Sequence, residues 1–61
     1  MTRTELKTLR PGDTVYDKRS GKAYEYVATE PFYYQGQLIG YDLVLKGDET
    51  VRISSKRIRN K

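Results

Sequence analysis

Short runs of Tyr, Val, Ile and Leu alternate with polar positions along this chain, and five glycines and two prolines cut the runs apart. Alternation at a period of two with that punctuation predicts a meander of short β-strands. Strands are expected over 13–17, 22–30, 37–46 and 49–54, with Ile58 and Arg59 as a last short one. Gly40 marks a bulge or close contact in the third strand. Pro31 denies a ladder donor and predicts a bend or bulge, after which Phe32, Tyr33 and Tyr34 run extended to a turn at Gln35-Gly36. The one helical pattern covers 4–9, with Thr4 as its cap and Pro11-Gly12 as its stop. Arg10, Pro11, Gly12 and Asp13 read as a type II turn, in which Pro presets φ and Gly supplies a positive one. Residues 18–21 form the first hairpin loop, and 54–57 a single 3₁₀ turn.

The hairpin at Gly47 is argued from which residues need a common face. A two-residue loop, Gly47-Asp48, sets Val51 opposite Val44 and Ile53 opposite Asp42, and leaves Leu43 on the face of Arg52. A three-residue loop over Leu45, Lys46 and Gly47 sets Val51 opposite Tyr41 and Ile53 opposite Ile39. That register gathers Ile39, Tyr41, Leu43, Val51 and Ile53 on one side, so it is the one expected, with φ > 0 at Gly47. In the first hairpin Tyr24, Tyr26 and Ala28 share one face and Ala23, Glu25, Val27 and Thr29 the other. Val15 joins either set, depending on the loop length; Val15 and Val27 are placed inside. The expected core is Leu9, Val15, Val27, Ile39, Tyr41, Leu43, Val51, Ile53 and Ile58.

Composition narrows the class. A chain of 61 residues holds one small domain, 1–61. Twelve Leu, Ile and Val residues make a thin core with marginal stability. With no cysteine and no histidine there is no disulfide, no thiolate or imidazole metal site and no histidine acid–base chemistry. No apolar run approaches the roughly 20 residues that span a bilayer. The first residues lack the apolar segment of a secretory signal. A cytoplasmic protein of bacterial or phage type is expected, without membrane, metal or cofactor. Charge is segregated: residues 52–61 hold Arg52, Lys56, Arg57, Arg59 and Lys61 and no acid, whereas the first 51 hold seven basic and eight acidic groups. A nearly neutral body with a cationic end is either a footprint for a polyanion or a solubilising tail.

Leu9, Arg10, Pro11, Gly12, Asp13, Thr14 and Val15 are similar to the L-x-x-G-D-x-V opening of many small β-barrels, including KOW and Tudor-type modules. The segment from Val51 to Ile58 resembles the strand, 3₁₀ turn and last short strand that close an SH3-like barrel. The resemblance covers most of the chain and implies an all-β, five-stranded SH3-like barrel with a short N-terminal helical turn. Two features depart from it. KOW modules carry a glycine in the middle of the second strand where this chain has Tyr24-Glu25-Tyr26-Val27, and there is no tryptophan for the peptide groove of a eukaryotic SH3 domain.

Catalysis is not expected. Asp13, Asp17, Asp48 and Glu49 sit in or beside turns, Glu25, Glu30 and Asp42 lie on strands, and no pair is placed to share a site. No Gly-rich phosphate loop precedes a helix, and Ser20, Ser54 and Ser55 have no base to activate them. Binding fits better. Alternation cannot bury Phe32, Tyr33 and Tyr34 together, so an exposed ring is expected for stacking on an unpaired base or a protein partner, unless Tyr33 or Tyr34 caps the barrel. Tyr24 and Tyr26 read as structural rings over cross-strand neighbours. Arg52, Arg57 and Arg59 point outward beside Val51, Ile53 and Ile58, with Lys56 on the turn, and are expected to form one cationic strip. Asp48 and Glu49 lie too far along the strand to neutralise it. The first expectation is therefore a non-enzymatic nucleic-acid-binding module using Arg52, Lys56, Arg57 and Arg59 with Tyr33 or Tyr34. The alternative is a protein-interaction adaptor, a phage or bacterial accessory protein, using the Tyr-rich edge.

Overall fold

The helix is capped by Thr2, two residues before the expected cap Thr4, because Thr2 and Glu5 have capping-box spacing. The Thr2 hydroxyl accepts from the Glu5 N–H at 3.2 Å and the Glu5 carboxylate accepts from the Thr2 N–H at 2.9 Å. Helix α1 spans Arg3–Thr8. Its stop is the expected type II turn: Asp13 N–H donates to the Arg10 carbonyl at 3.0 Å, and Gly12 holds φ +99°. The structure, a computed structural model, describes residues 1–60. Lys61, counted above among the C-terminal cations, lies outside the described residues.

The rest is strand, joined by one 3₁₀ turn. β1 (Thr14–Asp17), β2 (Ala23–Tyr34), β3 (Gln37–Lys46), β4 (Thr50–Ser54) and β5 (Ile58–Arg59) form one antiparallel sheet in the order β4-β3-β2-β1-β5. β4 and β5 are its edges. The 3₁₀ turn Ser55–Arg57 carries the chain from one edge to the other, and the Met1 ammonium donates to the Ser55 carbonyl at 3.1 Å. No described helix is long and apolar enough to cross a membrane.

Val15, Tyr26, Leu43, Leu45 and Ile58 form the buried core, with Leu6, Leu9, Tyr24, Val51 and Ile53 packed against it. Tyr41 is half-buried. The buried Tyr26 hydroxyl is 2.6 Å from that of Thr29, so its polar end is satisfied. Two expected core members are instead exposed, Val27 at 40% and Ile39 at 52%. Bulges explain both. Register shifts between Tyr26 and Ala28 and between Phe32 and Tyr33 leave Val27 on β2 and Ile39 on β3 without a ladder partner. Past the first bulge the inner face of β2 changes parity, from Tyr24 and Tyr26 to Thr29 opposite Leu43. Strict alternation, on which Val27 was placed inside, does not survive an inserted residue. Neither Pro31 nor Gly40, the positions expected to carry a bulge, does so: Pro31 pairs with Tyr41 and Gly40 with Phe32, the second bulge lies next to Gly40 at Ile39, and the first lies four residues before Pro31.

The Gly47 hairpin keeps the expected parity and moves four residues along. Lys46 pairs with Thr50, Leu45 with Val51 and Leu43 with Ile53, so the three loop residues are Gly47, Asp48 and Glu49. This register brings Leu45 into the core, where the expected one leaves it in the loop. Gly47 is not among the glycines with positive φ. Its constraint is contact: an added Cβ would sit 3.2 Å from two ring carbons of Tyr24.

Candidate nucleic-acid interface

The cations expected to form one strip are dispersed by the sheet order. Arg52 is on β4 and Arg59 on β5, the two ends of the strand order, which do not pair with one another in the ladder. Arg52 shares the outer face with Asp42 and Glu30, because Val44 pairs with Arg52 and Asp42 with Glu30. Its guanidinium forms ion pairs with Glu30 at 2.9 Å and with Asp42 at 3.2 Å, tying β2, β3 and β4 together. Those two strand carboxylates, rather than Asp48 or Glu49, offset its charge. Lys56 is exposed on the 3₁₀ turn and lines a shallow groove of about 180 Å³ with Phe32, Ile39, Gly40 and Tyr41.

Tyr33 and Tyr34 are exposed, at 59% and 61%, at the end of the β2–β3 hairpin. Gln35 at φ 50° and Gly36 at φ 79° make the tight turn, with positive φ at both central residues as a type I′ hairpin requires. Arg59 pairs with Tyr16, which pairs with Ala23 at the opposite end of β2. Eleven residues separate Ala23 from Tyr34, on the order of 30 Å along a bulged strand in a molecule 31 Å long. The tyrosines and the arginines of the expected site therefore do not share a face.

What the structure does bring together is a basic corner where the β1–β2 loop meets β5. The Lys18 N–H donates to the Arg57 carbonyl at 2.7 Å. Asp17, 3% exposed, accepts from the Arg19 N–H at 2.9 Å and from the Arg57 guanidinium at 2.9 Å. The Arg19 N–H and then the Arg57 charge hold its carboxyl below the ordinary aspartate value. Arg59 lies over the Tyr16 ring, 6.0 Å from its centre. Asp17, on the inner face of β1, thus ties the 18–19 turn to Arg57, while Arg59 and the half-buried Tyr16 ring stand on the outer face of the same strand pair. Glu25 lies opposite Thr14, and Glu5, held below the ordinary glutamate value first by its Thr2 hydrogen bonds, is also lowered by the Lys18 charge.

Arg57 and Arg59 belong to the site expected from sequence, whereas Lys18, Arg19 and Tyr16 were not assigned to it. The signal was present in the turn itself, which puts two adjacent cations at the end of the strand that pairs with β5. Among the described residues no group of three or more Asp, Glu, His or Cys could hold a metal ion. A cleft of about 410 Å³ between α1 and the sheet is lined by Leu6, Tyr26, Ala28, Thr29 and Tyr41, with Arg3 and Lys7 also contributing. Comparison with protein families, curated proteins and solved structures finds no match to this chain.

Proposed function

We propose that the chain is a small non-enzymatic module that binds nucleic acid through its basic corner, in a fold of the SH3-like barrel type. The barrel reading is supported by five antiparallel strands in one sheet with a 3₁₀ turn before the last one. Closure of β4 onto β5 is part of the proposal. The observation that carries the binding reading is that Lys18 and Arg19 are brought beside Arg57 and Arg59, segments about forty residues apart, with Asp17 tying Arg57 to the turn. Arg57 is braced by Asp17, and its side chain is 45% exposed, so it can offer a phosphate a guanidinium held in one place. Tyr16 lies beside Arg59 as a surface against which a sugar or an unpaired base can pack.

Fluorescence anisotropy with short duplex and single-stranded oligonucleotides tests this. Four phosphate contacts give a log–log salt slope approaching about −3.6 for duplex and about −2.8 for single strands. Reversal of Lys18 and Arg19 to Glu should flatten the slope by about 2 and weaken binding to all sequences alike. Unchanged affinity in that variant, or no binding by the parent at low salt, removes the reading. A second reading, a protein-interaction adaptor, is favoured by the exposure of Phe32, Tyr33, Tyr34, Leu38 and Ile39 on the hairpin. A partner lost on Tyr34→Ala and kept on reversal of Lys18 and Arg19 would put the adaptor first.

A further inference from the structure

The distal part of the β2–β3 hairpin is a surface that the basic corner does not use. β3 pairs with β4 only over Asp42–Lys46, so among the described residues 37–41 have a strand on one side alone. β1 reaches β2 only as far as Glu25 in the ladder, which leaves 28–34 open likewise. Residues 31–41 contain no charge, in a chain that is one-third charged. A two-stranded hairpin is marginal in water by itself, and an unpaired edge is a template for another strand.

The sheet's open edges are not equivalent. Pro31 removes an N–H from the β2 side, which blunts that edge. β4 and β5 are taken up by each other where the proposed barrel closes, and where they stay apart Arg52 on β4 and Arg59 on β5 bring like charges together if either is apposed with its own copy. The β3 edge at 37–40 has neither a proline nor a charge, and the nearest cation, Lys56, stands at its base. For a chain of net charge +4 this uncharged arm, at the far end from the basic corner, is where two copies meet with least repulsion.

We infer that the β3 edge at 37–40 pairs antiparallel with the same edge of a second copy, about a two-fold axis near Ile39. An antiparallel edge is self-complementary in that arrangement, and the two arms become one continuous sheet. Leu38 and Ile39 of each copy then cover one another. Leu38 and Ile39, about half exposed, lie on the pairing strand itself, whereas Phe32, Tyr33 and Tyr34 lie one strand back on β2 and gain only partial cover. A pair then buries less than the roughly 1,000 Å² of a stable specific interface, so the association is weak and reversible.

Sedimentation equilibrium of the full chain over micromolar to millimolar concentrations should show the mass rise from 7.1 kDa towards twice that value. Ile39→Lys sets two ammonium groups near the axis and should weaken the association about tenfold or more. Ile39 is an exposed bulge residue, so the variant keeps the parent's circular dichroism and melts within about 8 °C of it. In the parent, amide shifts that depend on concentration should be confined to 32–40. A mass of 7.1 kDa at every concentration overturns the inference and gives the arm to a different partner. So does a dimer unmoved by Ile39→Lys, or one whose shifts fall at 16–19 and 57–59.

Discussion

Leu45→Ala and Ile39→Ala, taken as a pair, separate the observed β3–β4 register from the one that alternation favours. Leu45 is fully buried between Tyr26 on β2 and Val51 on β4. Truncation removes three carbons, about 2.4 kcal/mol at ~0.8 kcal/mol per buried CH₂ group. A residual cavity raises the cost towards ~3–4 kcal/mol, within the range for buried leucines. Ile39 is half-exposed on a bulge, so the same truncation forfeits about 1 kcal/mol or less and leaves no cavity. A domain of this size has on the order of 3–9 kcal/mol to lose. At ~4–8 °C per kcal/mol, Leu45→Ala should lower the melting temperature by at least about 10 °C, and Ile39→Ala by no more than about 8 °C. Thermal melts followed by far-ultraviolet circular dichroism, at a concentration low enough to hold the monomer, read both. In the four-residue-shifted register Leu45 lies in the loop and Ile39 in the core, so the ranking inverts. An Ile39→Ala melt below that of Leu45→Ala would refute the observed pairing.

Three further outcomes follow from local geometry. The Asp17 carboxyl is held low in the fold by the Arg19 N–H and the Arg57 guanidinium, against an unfolded value near ~3.9, so its stabilisation is complete above that value and is lost as pH falls through the folded one. Asp17→Asn should flatten the loss of stability below about pH 4 in urea titrations, and superimposable acid limbs would reject the link. Thr2→Ala removes the cap acceptor of α1 and should cost about 0.5–2 kcal/mol, read as a lower urea midpoint at constant slope. Gln35→Gly relieves the positive φ of the hairpin turn and should be neutral or raise the melt, whereas Gly36→Ala, at φ 79°, should lower stability by about 1 kcal/mol.

The order of elements was legible because punctuation in this chain is local chemistry. Pro11-Gly12 with Asp13 specifies its turn within four residues, and Gln35-Gly36 specifies the hairpin. Most strand limits follow from those turns to within a residue, except that β2 runs through Pro31 to Tyr34, four residues past its expected end at 30. Register is a different kind of information. Each bulge inserts one residue into a ladder, and every later side chain on that strand then changes face. The free-energy gain that selects the bulge at Val27 comes from Tyr26 meeting Leu45 and Thr29 meeting Leu43 at once, a condition on two strands together. A pattern read along one strand contains no such condition, so Val27 and Ile39 took core positions that Tyr26 and Leu45 occupy.

The same distinction governs the charges. Segregation of basic residues near the C-terminus is a property of the linear chain, and a linear strip was the corresponding expectation. In the sheet, neighbours are set by pairing: β5 lies beside β1, so Arg57 and Arg59 stand with Lys18 and Arg19. Arg52, only five residues before Arg57, is carried to the other end of the strand order and engaged by Glu30 and Asp42. Asp17 is decisive in both respects. As the last residue of β1 it pairs with Ile58, and as a carboxylate it binds the loop and the 3₁₀ turn to one another. Removing that charge therefore weakens the corner's geometry even as it makes the corner more positive. A polyanion that bound by net charge alone would bind Asp17→Asn more tightly than the parent. One that needs Arg57 and the loop in fixed positions would bind it less tightly, and the sign of that change in oligonucleotide affinity tells a built site from a diffuse field.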